Sequence, residues 1–311
     1  MSLPDPLMSL PDRVREAVER AISESGWGDR IVAAFPSGGG CINNGARIES
    51  DAGSSFFLKW NDRAPDGLFE AEADGLEALR ATRALRVPEP LAWGRAEGGG
   101  EGGGEGGPAW LLLEYVAPGT RGAQVPLGAG LARVHAAGGG AGFGWDRDNW
   151  IGSLPQSNAR TASWGEFWRD RRLAPQLAAA RAHGRAGAEV LDRVVEAAPG
   201  ALADVSTPEL LHGDLWSGNA YTAASGEPVV IDPALYEGHG EVDLAMADLF
   251  GGFSAAFYDA YAEARPITRA FHAYRKDLYQ LYYLLVHVNL FGGSYEPACV
   301  AAARRVMAEL E

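Results

Sequence analysis

The chain has 311 residues, 47% hydrophobic and 22% charged, which is enough apolar mass for one large or two medium cores and argues against overall disorder. Its formal charge of −14 disfavours nucleic acid and anionic membrane as partners and suits a neutral or cationic small substrate, although solubility alone explains many acidic proteins. Two distant cysteines, Cys41 and Cys299, form neither a disulfide framework nor a metal pair. No basic segment followed by an apolar run opens the chain, and residues 278–291 are too short and too polar to span a bilayer, so a cytoplasmic protein is expected. The string MSLPD occurs at positions 1 and 8, and residues 1–10 are set aside from the fold.

In chain order, helical spacing of Val14, Ala17, Val18, Ala21 and Ile22 predicts a helix over 11–25. Strands are expected at 31–35, 46–49 and 54–60, the first two flanking a glycine-rich turn at 38–45 and the third carrying Lys59 near its end. A helix at 68–84 places Leu68, Glu72, Leu76 and Leu79 on one face, and Pro88 and Pro90 then break the chain. Strands follow from 91 and at 109–116, separated by a glycine–glutamate tract at 97–107 that can bury nothing and reads as a mobile surface loop. Beyond Pro118-Gly119 the pattern is helical, at 127–137, 164–183, 186–198, 242–250, 255–264 and 271–291, interrupted by a hairpin-like stretch at 210–234. A strand-rich first part and a helical remainder predict an α+β, two-lobed, protein-kinase-like fold, with lobes 1–116 and 117–311 and a ligand cleft between them.

The chemistry concentrates in His212-Gly213-Asp214-Leu215-Trp216-Ser217-Gly218-Asn219, which fits the kinase catalytic loop H-x-D-x-x-x-x-N. In that loop a carboxylate accepts the proton of the attacking hydroxyl, and an amide oxygen five residues later reaches a metal. Val229-Val230-Ile231-Asp232-Pro233 delivers a second carboxylate from an apolar strand, a hard oxygen ligand suited to magnesium. Lys59 on a strand and Glu72 on the next helix complete a phosphate-holding pair, with Glu70 a rival to Glu72. Gly213 stands where protein kinases carry arginine, and no A-P-E segment follows Asp232, so phosphorylation-gated protein kinase activity is disfavoured.

Together with Gly39-Gly40-Cys41-Ile42, Leu68 to Ala73, Phe143-Gly144-Trp145, Asp148 to Gly152, Leu154-Pro155-Gln156, Gly238 to Met246 and Leu249 to Phe253, these residues resemble the fructosamine/ketosamine-3-kinases, relatives of the aminoglycoside and choline kinases. The resemblance spans roughly 38–293. It implies ATP- and Mg2+-dependent phosphorylation of the 3-hydroxyl of a ketosamine, on a small molecule or a glycated amine or protein. The product is unstable, so the activity amounts to deglycation. Carried over by position, Asp214 is the base, with His212 in the same catalytic loop. Asn219 and Asp232 hold magnesium, while Lys59, Glu72, Gly39 and Gly40 attend the phosphates. Glu114, Tyr115 and Val116 form the adenine-binding hinge, and Asp243 holds the catalytic loop through backbone N–H groups.

Trp216, which can stack on a sugar, and His287, on an otherwise apolar helix, are the candidate substrate contacts. His287 reads equally as a satisfied core histidine. Cys41 in the glycine turn suggests a redox-linked dimer as an alternative to a monomer. Two other functions stay open: a kinase of another hydroxylated substrate such as an aminoglycoside or sugar, and a non-catalytic nucleotide-binding regulator.

Overall fold

A computed structural model describes residues 10–37, 43–97, 106–120 and 122–311. Gly38, Gly39, Gly40 and Cys41 lie outside the described residues, as does most of the glycine–glutamate tract. The chain forms two compact units: Met1–Arg80 with Val87–Pro118, and Ala81–Arg86 with Gly119–Glu311. Residues 81–86, expected with the N-terminal lobe, group with the second unit. There the Arg86 N–H donates to Pro228 O at 3.2 Å, and Arg86 O accepts from Val230 N–H at 3.0 Å.

The first unit runs α1 (Asp12–Glu24), β1 (Ile31–Pro36), β2 (Asn44–Ser50), β3 (Ser55–Asn61), α2 (Leu68–Ala81), β4 (Pro90–Arg95) and β5 (Ala109–Glu114). Its strands form an antiparallel sheet in the order β1-β2-β3-β5-β4. Val14, Val18 and Ile22 recur at four-residue spacing, so α1 has one apolar stripe, and it packs against Ala46, Ile48, Phe56, Leu58 and Leu112. Burying each of the three contributes about 1.5–3 kcal/mol. Leu10, set aside on sequence grounds, belongs to this core. Strand alternation puts Lys59 on the face opposite Leu58. Gly45, expected in the glycine turn, is instead a strand residue paired with Lys59.

The second unit runs α3 (Gln124–Ala136), β6 (Asn149–Ile151), β7 (Leu154–Gln156), α4 (Trp164–Phe167), a π-helical turn (Trp168–Leu173), α5 (Ala174–Ala182) and α6 (Glu189–Ala201). It continues through β8 (Glu209–Leu211), β9 (Ala220–Thr222), β10 (Pro228–Val230), β11 (Tyr236–Gly238), α7 (Glu241–Leu249) and α8 (Ala255–Ala264). A second π turn (Phe271–Arg275), α9 (Lys276–Phe291) and α10 (Glu296–Leu310) complete it.

The stretch expected as one hairpin is two nested ladders: β9 pairs with β10, and β8 pairs with β11 beyond the range read from sequence. The helix expected over 164–183 is continuous but wound as π in its middle. That turn carries Arg172, fully buried, whose guanidinium lies 4.0 Å from the Tyr236 ring centroid and donates to Asn158 Oδ1 at 2.7 Å. Among the described residues, no helix is long and apolar enough to cross a membrane.

Candidate active site

In the first unit, β3 and α2 bring Lys59 Nζ to 2.6 Å from Glu72 Oε1, with both side chains about nine-tenths buried. The partner is Glu72; the rival, Glu70, is exposed. Glu114, Tyr115 and Val116 follow at the end of β5, half-buried. Glu114 is tied to the preceding segment, its N–H donating to Glu89 O at 2.8 Å and its carboxylate accepting from Glu89 N–H at 3.3 Å. The Tyr115 ring lies 5.5 Å from the Arg47 guanidinium.

In the second unit the loop after β8 is fixed from four sides. Asp243, fully buried at the start of α7, accepts the N–H of His212 at 2.7 Å and of Gly213 at 2.8 Å. Burial alone would raise the Asp243 pKa, but the hydrogen bonds that it accepts from His135 and the Gly213 N–H hold it below the usual carboxylate value.

His212 donates from Nε2 to Ile231 O at 2.9 Å, so its Nδ1 is free to accept the Asp214 N–H at 3.3 Å. Burial lowers its pKa and keeps it neutral. His212 thus ties the Asp214 segment to the Asp232 segment. Gly213 has φ +83°, and a Cβ there would meet Ala234 O at 2.1 Å, which excludes the arginine of H-R-D on backbone grounds alone. The Tyr283 hydroxyl closes the fourth side, donating to Gly213 O at 2.7 Å.

Asn219 Nδ2 donates to Asp214 O at 2.9 Å, to Asp214 Oδ2 at 3.2 Å and, at 3.4 Å, to Asp232 O. These bonds fix the amide through Nδ2 and leave Oδ1 as the atom that could ligate a cation. Asp232 sits at φ +55°, a left-handed conformation imposed immediately before Pro233. The Asp214 pKa is raised to about 7, first by burial and then by the Asp232 charge, with the Asn219 hydrogen bond opposing. One amide oxygen and one carboxylate fit a hard divalent cation that keeps most of its shell from water and phosphate, the usual magnesium arrangement. Among the described residues no cluster of three or more His, Cys, Asp or Glu could hold a metal without such help.

Trp216 is half-buried and folds over Gly218, where a Cβ would meet its ring at 2.3 Å. His287 is also half-buried. Its Nδ1 donates to Tyr283 O at 2.8 Å, and its ring packs among Phe250, Phe291 and Tyr295. Gly252 comes close to Ser217 between Trp216 and Gly218, so the Phe250 loop touches the loop that carries Asp214. Cys299 is buried, with its thiol pushed up to about 12 chiefly by burial.

Reading along the sequence gave no role to Asn149, Gln156 or Tyr282. Asn149 Nδ2 donates to Leu235 O at 2.8 Å. Gln156 Nε2 donates to Asn149 Oδ1 at 2.8 Å and to Ala234 O at 3.2 Å, while the Tyr282 hydroxyl donates to Gln156 Oε1 at 2.6 Å. They brace the backbone that leaves Asp232. The available signal was the recurrence of Asn149 and Gln156 within family-like strings.

The pattern of the fructosamine kinase family matches residues 15–309. A candidate ketoamine kinase of Synechocystis is 43% identical over 290 residues, covering 90% of this chain and 92% of its own. The chloroplastic protein-ribulosamine 3-kinase of Arabidopsis thaliana is 39% identical over 294 residues, covering 92% and 86%. A crystal structure of a candidate fructosamine-3-kinase from Thermobifida fusca superposes with a TM-score of 0.80 at 33% identity, covering 93% of this chain and 97% of that one. The α+β fold is protein-kinase-like.

Proposed function

The chain belongs to the fructosamine kinase family and is a phosphotransferase, and from that premise we propose that it moves the γ-phosphoryl group of ATP to the 3-hydroxyl of a ketosamine, a fructosamine or ribulosamine adduct. The observation that carries the mechanism is the arrangement of Asp214, Asn219 and Asp232 around one loop. Relatives named as ketoamine and ribulosamine kinases support the substrate.

Asp214 accepts the hydroxyl proton as the oxygen attacks. Its raised pKa, about 7 before any cation is bound, makes it a stronger base than an exposed aspartate. Asn219 and Asp232 would hold magnesium, which when bound supplies charge neutralisation at the transferring phosphoryl group. Lys59, oriented by Glu72, holds the α- and β-phosphates, and the backbone at Glu114, Tyr115 and Val116 takes the adenine. Little covalent chemistry is left for the protein beyond positioning. Trp216 and His287 are the proposed sugar contacts.

The test is ATP consumption with magnesium against a fructosamine, a ribulosamine, an aminoglycoside, choline and a simple sugar. Turnover confined to the two ketosamines is expected. Turnover only on another member overturns the substrate, and nucleotide binding with no turnover overturns the catalytic reading.

A further inference from the structure

The helix α9 carries an aromatic row whose two ends differ in exposure. Tyr283, His287 and Phe291 recur every fourth residue, and Tyr295 follows in the turn after the helix. Each such step advances about 6 Å along the helix axis. Tyr283 is 1% exposed and donates to Gly213 O at 2.7 Å, next to Asp214 in the chain. His287 is half-buried, and Phe291 is 50% exposed. The row therefore begins at the loop that carries Asp214 and ends at the surface.

Phe250 widens the row. Its ring lies 4.8 Å from that of His287, which in turn lies 5.3 Å from Phe291 and 5.0 Å from Tyr295. Phe250 is 43% exposed, and its loop meets the Asp214 loop a second time, where a Cβ on Gly252 would stand 2.4 Å from the Ser217 Cβ. Leaving two phenylalanines half in water forgoes apolar burial that each could contribute. A continuous exposed apolar patch of this kind marks a binding surface.

The chemistry of a ketosamine supplies the occupant. Its amine nitrogen is attached to the carbon beside the carbonyl. With the 3-hydroxyl at Asp214, the rest of the amine starts a few bonds from the reacting oxygen and has to leave the site. It leaves as a carbon chain joined to the sugar by an ammonium group. Aromatic faces suit both parts, the chain by apolar contact and the ammonium by its attraction to the ring quadrupole. The His287 Nδ1 donates to Tyr283 O, and burial lowers the His287 pKa, so the row adds no positive charge against that ammonium.

We propose that Phe250, Phe291 and Tyr295 form a track for the amine carrier of the ketosamine, selecting substrates whose amine bears an extended apolar arm, as the four-carbon stem of a lysine does, over those on a short one. The inference rests on the ketosamine reading above. The arm is held equally before and during phosphoryl transfer, so the track acts on KM and leaves kcat in place.

The test is steady-state ADP release with the fructosamines and ribulosamines of methylamine, butylamine and hexylamine. With one side of the chain covered, each methylene should lower KM by about twofold, so that kcat/KM rises by about thirtyfold from methyl to hexyl. Phe291→Ser and Phe250→Ser, both at exposed positions, should remove most of that preference, and Phe291→Leu, which keeps an apolar side chain, should retain it. A change that only loosened the fold would lower turnover on every arm and leave the preference intact. Equal kcat/KM for the methyl and hexyl compounds, or a preference that survives in both serine variants, overturns the track while the kinase reading stands. A parent chain that elutes as a dimer and a Phe291→Ser chain that elutes as a monomer would assign the face to a second copy and overturn it too. No turnover on any ketosamine removes the kinase reading and the track with it.

Discussion

The two units hold the charges of the proposed site in opposite ways. In the first, Lys59 and Glu72 neutralise one another at 2.6 Å, nine-tenths buried. In the second, Asp214 is crowded by the like charges of Asp232 and Asp243 with the Asn219 amide in opposition, and its pKa rises accordingly. A compensated pair is stable before any ligand arrives. A crowded carboxylate stores a cost that proton or cation binding relieves. The first arrangement suits a group that must already be oriented when nucleotide binds, and the second suits one that must take up a proton during turnover.

The largest effect should come from the crowded side. Asp214→Asn should cut turnover by about 10²–10⁴-fold, the range of a lost general base, while nucleotide binding persists. Steady-state ADP release and nucleotide titration check both halves, and full activity would end the assignment. Asp232→Ala should instead abolish the magnesium dependence of nucleotide binding, read by titration with and without chelator.

Breaking the compensated side should show mainly as lost stability. Lys59→Met leaves Glu72 buried beside an apolar chain and should cost about 3–5 kcal/mol, the usual penalty for orphaning one member of a buried pair. Lys59→Met with Glu72→Leu should recover much of that loss and none of the activity. Urea midpoints of the two variants measure the difference. An equal loss in both would mean that the pair is not the source.

This contrast also separates what was legible along the chain from what was not. Lys59 and Glu72 could be read because strand alternation and helical spacing are local rules. His212 to Asn219 could be read because the spacing is fixed by one tight loop. The pairings of β8 with β11 and of β9 with β10 could not, since three-residue strands carry no usable period. The helix α10 escaped notice because its buried stripe is Cys299, Ala302, Ala303 and Val306, mostly small side chains with a weak apolar signal. The π turns at Arg172 and Arg275 resemble ordinary helix in sequence. Asn149 and Gln156 satisfy carbonyls 86 and 78 residues away, respectively, which no local pattern encodes.

A smaller effect tests the loop that carries the crowded carboxylate. Gly213→Ala places a Cβ at 2.1 Å from Ala234 O in a left-handed conformation. The loop must shift, at about 1–3 kcal/mol. Turnover should fall while nucleotide affinity holds, because the strain lies at the attachment of Asp214 and not at Lys59. Equal losses in turnover and affinity would place the strain elsewhere.

The smallest effect runs against the usual direction of mutation. Asp214 keeps its proton to about pH 7 in the folded chain, whereas its ordinary value is 3.8, so between those values the unfolded state has released a proton that the folded state retains. Stability contributed by this site therefore falls as pH rises through that window, and above pH 7 the folded protein bears the full cost of the ionised group. Asp214→Asn removes the ionisation. With chelator and no nucleotide, the variant should melt a few degrees above the parent at pH 8, and the gap should shrink at pH 5. A variant that melts lower at both values would mean that Asp214 is not crowded, and the contrast between the two units would fail at its central residue.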